Sequence, residues 1–365
     1  MVQQGMKIKS KKCKYAMVRD QIIACILERN LPDGSQLPPE AELMDMLNVA
    51  RNTVRTALEL LVAEGIVVKR SGHPCVINRK AIAEAPAPRQ IAWIDVESSV
   101  SSNPVYFEIF RAVTEESVRR NIRVNYVSLL SEEMMQSYLL VEHNYSGTIF
   151  NAPKSFLTSG FLEKLKTKQL VLLDPSDFKL PYRMVGTDNY AGASKAINYL
   201  IEQGHRKIVF MGIAPTFSSY APFGERLRGY RDTMDAAGLK RLELFSESVD
   251  VYCNIKPFLA AHHNIINGAD AIFAISDMLA LTLLTIVPQL GFRIPEDISL
   301  IGFDGIMHSE FVVPSLTTVR QPFEEIARMT LEIILDSDGN SSGTESNPCQ
   351  IEPDLRLGGT VIKRK

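Results

Sequence analysis

Polar side chains that can read DNA base edges gather at the start of one predicted helix. Arg51, Asn52 and Arg55 lie near the N-terminal end of a helix predicted for residues 50–63, mostly off its apolar face. Arginine can pair with guanine and asparagine with adenine in the major groove. The N-terminal residues of a recognition helix are those that reach the bases. The spacing therefore indicates direct DNA contact, with Thr53 as a neighbouring candidate.

The segments around this helix complete the pattern of a winged helix-turn-helix. Apolar residues at helical spacing predict a first helix over residues 15–29. A second helix begins after Pro38-Pro39 and ends at Asn48, since asparagine tolerates the left-handed conformation of a helix stop. Gly65 ends the recognition helix, and strands at 66–70 and 75–77 follow. The order predicts a compact domain over residues 15–79.

The wing tip and the N-terminal arm supply further candidates. Gly72 and His73 lie between the two predicted strands, where backbone amides can hold phosphates. Residues 1–14 form a basic arm. Residues 1–80 hold 13 Lys and Arg against 8 Asp and Glu, whereas residues 81–365 hold 27 against 34. A basic module on an acidic body favours a polyanionic partner. The alternative is a protein-interaction module with solvated arginines and a solvated arm.

Composition excludes several classes of protein. The 365 residues are 45% hydrophobic and 22% charged, which is typical of a globular chain with two or three domains. The most apolar window, residues 269–290, contains Asp277 and Pro288, so we expect no membrane span. The first residues are polar and basic, so we expect no secretory signal, and five scattered cysteines favour free thiols in the cytoplasm. No metal or cofactor site and no catalytic motif is recognisable, so we expect a protein that is not an enzyme.

The remainder of the chain alternates strand and helix after a proline-containing linker at residues 80–89. Continuous apolar strands separated by amphipathic helices indicate parallel sheets covered on both faces. Residues 90–365 therefore predict two doubly wound α/β lobes, with a ligand at the carboxyl ends of the strands. The predicted helices include 105–121, 132–141, 160–168, 191–203, 225–237, 255–267 and 277–290, and the predicted strands include 91–96, 124–129, 148–150, 170–174, 207–211, 242–247, 271–275 and 298–302.

A set of positions within residues 15–78 follows the pattern of a known family: Leu37-Pro38, Glu40, Glu42-Leu43, Val49, Arg51, Thr53-Val54-Arg55, Ala57-Leu58 and Glu64-Gly65. With these residues the segment resembles the winged-helix domain of the GntR family of bacterial transcription regulators. The resemblance implies that Arg51, Arg55 and Gly72 contact operator DNA. Two residues depart from the family pattern: Ala41 replaces an arginine that contacts DNA, and Ala50 replaces a Ser or Thr that caps the recognition helix. We interpret both as a changed operator preference.

Five motifs follow one another in the rest of the chain: VGTDNYAGA (185–193), QGHRKI (203–208), ERLRGY (225–230), IPEDISLIGFDG (294–305) and PSLTTVRQP (314–322). In this order they make residues 90–365 resemble the effector-binding core of the LacI/GalR family of sugar-responsive repressors, whose fold is like that of periplasmic binding proteins. The resemblance implies one lobe of residues 90–186 and 317–349, a second lobe of 187–316 and 350–365, and a homodimer.

This second resemblance also implies an effector site between the lobes. Asp304 could accept two sugar hydroxyls, and the Arg226 fork could donate to sugar oxygens. Each candidate has a structural alternative: a capping aspartate, a surface ion pair, an N-cap or an aromatic core residue. We expect His205, His262 and His263 to be structural. The further effector candidates are Ser98, Asn103, Phe107, Ser276 and Asp277.

The charge of the three strongest candidates, Arg226, Asp277 and Asp304, favours a neutral monosaccharide over a sugar phosphate, which would need more cations. Together the two resemblances predict a chimera similar to the arabinose-repressor type of sugar regulator. We expect a homodimer that represses sugar-catabolism genes at a pseudo-palindromic operator and is released by its effector. The alternative is a cytoplasmic sugar-binding protein whose basic module binds a protein partner.

Overall fold

A computed structural model of the chain describes residues 11–69, 74–79, 89–96, 103–151, 160–166, 169–174, 182–214, 221–246, 251–336 and 349–364. They divide into an N-terminal winged unit and a larger α/β unit. No helix among the described residues is long and apolar enough to cross a bilayer.

The N-terminal unit has the predicted order of elements. Helices α1 (Lys11–Glu28), α2 (Glu40–Leu47) and α3 (Arg51–Ala63) precede an antiparallel pair, β1 (Val67–Val68) and β2 (Val76–Ile77). Helix α1 begins four residues before the predicted start at residue 15. The winged helix-turn-helix prediction is confirmed.

Apolar residues from all three helices close the core of this unit. Ile22 of α1, Leu43 of α2 and Val54 of α3 are fully buried and belong to one hydrophobic core. Asn48 ends α2 in the left-handed conformation, with φ 49° and ψ 50°. After this turn the chain enters α3, which packs against α2. Ala50 precedes α3 without a side-chain cap, as its side chain dictates.

The α/β unit contains two six-stranded sheets. The first has the order β13-β7-β6-β5-β3-β4, with parallel pairing at the described registers. The order doubles back beside β3, as in a doubly wound fold, so the predicted fold class is confirmed. Its strands are β3 (Arg89–Asp95), β4 (Ile122–Ser128), β5 (Gly147–Asn151), β6 (Leu170–Leu173), β7 (Arg183–Thr187) and β13 (Cys349–Ile351).

The second sheet repeats this plan with the order β14-β12-β11-β10-β8-β9. Its described pairs are parallel except β12 with β14, which is antiparallel. Central strands are buried along their whole length, which explains their uninterrupted apolar sequences. The strands are β8 (Ile208–Ile213), β9 (Leu242–Ser246), β10 (Ala271–Ala274), β11 (Ser299–Asp304), β12 (Thr317–Arg320) and β14 (Asp354–Arg356).

Three predicted helices differ from those observed. Residues 160–168 form only the turn Leu162–Lys164 among the described residues, because the Lys166 N–H donates to the Glu142 carboxylate. The helix predicted over 255–267 is interrupted at His262. Pro288 lacks an N–H, so α10 ends before it in a 3-10 turn. The helices are α4 (Pro104–Arg119), α5 (Glu132–Val141), α6 (Asn189–Glu202), α7 (Ala221–Ala236), α8 (Val251–Ala261), α9 (His263–Gly268), α10 (Asp277–Ile286) and α11 (Phe323–Leu335).

The chain crosses between the two sheets later than predicted. Strand β12 pairs with β11, so residues 317–320 belong to the second lobe and the crossing follows Arg320. Strand β13 pairs with β7 in the first sheet, and β14 pairs with β12 in the second. The last crossing therefore lies between Ile351 and Asp354. The boundaries expected at 317 and 350 are both too early, because the apolar pattern of a strand does not reveal its sheet.

A close approach of two helices depends on Gly229. A Cβ at this position of α7 would lie 2.5 Å from the Tyr190 carbonyl oxygen and 2.9 Å from the Ala193 Cβ, both on α6. Gly224, on the same helix, has open space around it. Overpacking of this kind costs about 1–3 kcal/mol. We therefore expect Gly229→Ala to lower the free energy of unfolding by about that amount in urea titrations followed by circular dichroism.

Gly224→Ala is the matched control, because it makes the same chemical change on the same helix without a clash. It should leave stability unchanged or raise it by up to about 1 kcal/mol, since alanine favours the helical state. Equal stability of the two variants would contradict the account of the α6–α7 packing.

Candidate DNA-binding surface and effector site

The recognition helix presents three of its four predicted side chains to solvent. The side chains of Arg51 and Arg55 are 64% and 54% exposed, and Asn52 is also exposed. Thr53 is only 5% exposed. The structure therefore places Thr53 in the core and not on the surface shared by the other three. Arg51 and Arg55 stand one helical turn apart, so their side chains share a face.

Glu40 joins the two arginines. Its Oε2 accepts hydrogen bonds from Arg51 Nε at 3.3 Å and from Arg55 Nε at 3.0 Å. Partial burial raises the pKa of Glu40, but the hydrogen bonds from Arg55 and Arg51 outweigh it and hold the pKa below its ordinary value. The carboxylate is therefore ionised at neutral pH. We call Glu40, Arg51 and Arg55 the arginine clamp. From the sequence, Glu40 is known only as a position that matches the family pattern, and its bonds to the two arginines were not predicted.

Two DNA-contact candidates cannot be placed. Gly72 and His73 lie outside the described residues, as do residues 1–10 of the basic arm. Strands β1 and β2 on either side are described and pair at Val67–Ile77 and Val68–Val76. The proposed contacts of the wing and the arm stay predictions.

A fully buried guanidinium lies at the centre of the α/β unit. Arg226 of α7 is 1% exposed. Its Nη2 lies 3.0 Å from Asp304 Oδ1, its Nε donates to Asn189 Oδ1 at 2.8 Å, and its Nη1 donates to the Ile275 carbonyl at 2.7 Å. The guanidinium also stacks 3.7 Å from the centre of the Phe303 ring. Arg226 and Asp304, two predicted effector residues, are thus in direct contact.

Further hydrogen bonds close these residues into a ring. Gln321 donates from Nε2 to Asp304 Oδ1 at 2.9 Å, and the Thr187 hydroxyl donates to Gln321 Oε1 at 2.7 Å. Asn189 Nδ2 donates to the Thr187 carbonyl at 2.9 Å. All of these side chains are buried. We call this set the buried ring: Arg226, Asp304, Gln321, Thr187 and Asn189.

The buried ring lies at the carboxyl ends of strands from both sheets. Thr187 ends β7 of the first sheet, and Asp304 ends β11 of the second. Gln321 follows β12 at the crossing between sheets. Carboxyl ends of parallel strands are where doubly wound folds bind ligands. Thr187, Asn189 and Gln321 lie within the quoted motifs but are not among the predicted effector residues. Thr187 ends β7, Gln321 directly follows β12 and Asn189 begins α6, so position near the end of an apolar strand is the available signal.

The backbone at Asp304 is held in an uncommon conformation. Its φ is 126°, which few residues other than glycine adopt. The ion pair with Arg226, the bond from Gln321 Nε2 and a bond from the Gln321 N–H to the Asp304 carbonyl hold it there. Such strain concentrates at functional sites, where surrounding contacts fix the geometry.

Two other predicted effector residues have structural roles. Ser276 caps α10, since its hydroxyl accepts from the Leu279 N–H. Asp277 is fully buried: its Oδ2 accepts from the Gly305 and Ile306 N–H groups, and its Oδ1 contacts the Thr318 hydroxyl. These bonds hold the backbone that follows Asp304. Ser276 and Asp277 therefore stabilise the backbone next to Asp304. Their hydrogen bonds among the described residues are all to groups of the protein itself.

Burial perturbs both aspartates. It raises the pKa of Asp277, and the neighbouring Asp304 carboxylate raises it further. Burial also raises the pKa of Asp304, although the charge of Arg226 opposes the shift. The Arg226 cation therefore favours the charged form of Asp304, whereas burial favours the neutral form of Asp277.

The first lobe contributes an exposed aromatic ring. Phe107 of α4 is 48% exposed, so its ring is not a core residue. Asn103 Oδ1 accepts from the Val105 N–H at the start of α4. Ser98 lies outside the described residues. No group of three or more potential metal ligands occurs in the part of the chain that the structure describes.

Comparison with known families assigns both units. Residues 14–77 match the family described as bacterial regulatory proteins, gntR family, and residues 197–361 match the periplasmic binding protein-like domain. The chain joins a GntR-type DNA-binding domain to a periplasmic-binding-protein-like domain. Both predicted family resemblances are confirmed. From here on, the two are called the GntR-type domain and the effector domain.

A curated relative and two solved structures are similar to this chain. The HTH-type transcriptional repressor PurR of Escherichia fergusonii is 28% identical over 238 residues, which are 64% of each protein. The chain thus spans just under two thirds of the length of that relative. A lac repressor dimer bound to operator matches 79% of this chain and 99% of its own, with 18% identity and TM-score 0.61. A LacI family regulator from Enterococcus faecium with bound ribose matches 76% and 100%, with 20% identity and TM-score 0.60.

The raised pKa of Asp277 predicts a pH dependence of stability. A carboxyl whose pKa is higher in the folded than in the unfolded state stabilises the fold below pH 4 and loses that contribution as pH rises through the folded pKa. Asn at this position can still accept from Gly305 and Ile306 and can donate to Thr318. We therefore expect Asp277→Asn to fold and to flatten the fall in unfolding free energy between pH 5 and pH 8.

Asp277→Ala is the control, because it leaves the Gly305 and Ile306 N–H groups buried without an acceptor. It should cost about 2 kcal/mol or more at every pH. A wild-type pH slope retained in Asp277→Asn would show that Asp277 is not the titrating group.

Proposed function

We propose that this protein is a DNA-binding transcriptional repressor of sugar-catabolism genes, released by a small sugar that binds the effector domain. The proposal rests on one observation, which is that a single chain contains two sites, one in each domain. The GntR-type domain presents Arg51, Asn52 and Arg55 on an exposed recognition helix. The effector domain holds the buried ring at the carboxyl ends of its strands. The PurR relative is itself named a transcriptional repressor.

The DNA partner is a pseudo-palindromic operator bound by a homodimer. Two recognition helices related by a two-fold axis contact two half-sites in successive major grooves. The lac repressor structure is a dimer on operator DNA and shares the fold of the effector domain. Such a regulator acts in the cytoplasm, where the operator is accessible, and needs no catalytic step.

The effector is a neutral monosaccharide. Arg226 and Asp304 neutralise each other, so the described site offers no unbalanced cation to a phosphate. Together they can donate to and accept from sugar hydroxyls, and the exposed Phe107 ring can cover an apolar sugar face. The Enterococcus faecium structure holds ribose in the same fold. Binding of a sugar phosphate without binding of the parent sugar would contradict this choice.

The proposed release mechanism uses the crossings between lobes. Thr187 and Gln321, which lie at two of these crossings, are bonded into the same ring as Arg226 and Asp304. A sugar that engages the ion pair changes the hydrogen bonds available to both crossings. The resulting change of lobe arrangement alters the spacing of the two GntR-type domains in the dimer. Coupling between two such sites typically amounts to about 1–3 kcal/mol.

The DNA-binding half of the proposal predicts the behaviour of a double variant. Arg51→Ala/Arg55→Ala removes two arginines that can each discriminate a guanine by about 1–3 kcal/mol. Affinity for a duplex selected by the wild-type chain from a random library should fall about a hundredfold or more. Fluorescence anisotropy with a labelled duplex measures it, and circular dichroism checks the fold.

Arg241→Ala/Arg293→Ala removes the same charge from exposed, ion-paired sites on the effector domain and should retain wild-type affinity. If the wild-type chain enriches no sequence at all, the alternative of a sugar-binding protein with a protein-binding N-terminal module is favoured instead. Unchanged affinity in the Arg51/Arg55 variant would exclude the recognition helix from the contact.

A further inference from the structure

The arginine clamp suggests how the GntR-type domain discriminates bases. Glu40 is the first residue of α2, and the left-handed turn at Asn48 brings the start of α3 beside it. From there one carboxylate oxygen reaches two arginines on successive turns of α3. Each bond is made to Nε. The described residues give no other hydrogen-bond partner to the two guanidinium groups.

Because each arginine bonds Glu40 through Nε, one edge of its guanidinium group stays free. A guanidinium bound through Nε to a carboxylate still has its outer edge, where one N–H of Nη1 and one of Nη2 point away from Nε in parallel. Two parallel donors are what bidentate pairing with the O6 and N7 atoms of guanine requires. Arg51 and Arg55 are both more than half exposed, so these edges are accessible. Held at one end, the two long side chains lose less conformational entropy when they bind.

The charge of Glu40 also limits contact with phosphates. The arginine clamp has a net charge of one positive unit, whereas two free arginines would have two. Phosphate contacts add affinity for every DNA sequence, and base contacts add discrimination. A carboxylate beside the base-reading arginines therefore opposes non-specific binding and leaves the guanine-reading edges in place.

We propose that Glu40 is a specificity-determining positioning residue, which orients Arg51 and Arg55 for guanine and weakens their attraction to phosphates. This inference rests on the proposed DNA-binding function and deepens it. Glu40 needs no contact with DNA for this role.

The test compares Glu40→Gln with Glu42→Gln in the full-length chain. Glu42 also lies in the first turn of α2, but it pairs with Arg29, at 3.6 Å. Both substitutions remove one negative charge from the same helix end. Affinities are measured for the duplex selected by the wild-type chain, for that duplex with its guanines replaced, and for a scrambled duplex, each at several salt concentrations.

We expect Glu40→Gln to reduce the ratio of selected-duplex to guanine-replaced affinity about tenfold. Its affinity for the scrambled duplex should rise, with a steeper salt dependence. Glu42→Gln should keep the wild-type ratio. The two variants should have similar melting temperatures. A difference in their affinity ratios then does not come from a general loss of helix stability.

Two results overturn the inference while the proposed function stands. One is a Glu40→Gln ratio equal to that of Glu42→Gln. The other is an equal loss of affinity for all three duplexes, which indicates a structural role for Glu40. A wild-type chain that selects no sequence overturns the proposed function and this inference with it, so the two failures are distinguishable.

Discussion

A guanidinium without access to water must have its charge balanced and its N–H groups bonded within the protein. Arg226 meets this constraint with one carboxylate, one amide and one backbone carbonyl, each from a different segment of the chain. The segments that supply them are the end of β11, the start of α6 and the residue after β10. The position of one side chain thus fixes the mutual arrangement of three strand–helix connections.

The same constraint extends to the crossings between the two sheets. Asp304 has a second partner in Gln321, and Gln321 has one in Thr187, so the ion pair is bonded to two of the three crossings. A site made only of surface side chains could bind a ligand without moving the lobes. Here a ligand that competes for Asp304 or Arg226 also competes with the bonds at the crossings. In the proposed function, binding of the effector and rearrangement of the lobes therefore involve the same atoms.

The sequence predicts Arg226 and Asp304 as effector residues, and the structure brings the two into contact, but their hydrogen-bond partners were not predicted. Arg226 and Asp304 follow from motif position and from the end of an apolar strand. Asp277 also follows the end of an apolar strand, which is why it was predicted to bind the effector. Its carboxyl group instead accepts hydrogen bonds from Gly305 and Ile306, because the connection after β11 folds back over α10. Thr187 and Gln321 meet only through the crossing geometry, which no periodicity encodes. The sequence of β12 likewise does not show which of the two sheets the strand joins.

The winged unit was more predictable, because its short helices and caps are determined locally. Pro38, Asn48 and Gly65 mark the ends of elements through their own backbone preferences. The inward position of Thr53 and the hydrogen bonds that Arg51 and Arg55 donate to Glu40 depend on the angle between α2 and α3. That angle is set by packing of the whole core and is not readable from spacing.

The most direct measurement is the operator affinity of the full-length chain with and without a saturating sugar. A thermal-shift screen of pentoses, hexoses, deoxy sugars and their phosphates identifies the sugar, since a ligand at 100 times its dissociation constant adds about 2.7 kcal/mol of stability. The account predicts that this sugar weakens operator binding about 5- to 150-fold, and that operator DNA weakens sugar binding by the same factor. A sugar that binds tightly and leaves operator affinity unchanged would contradict it.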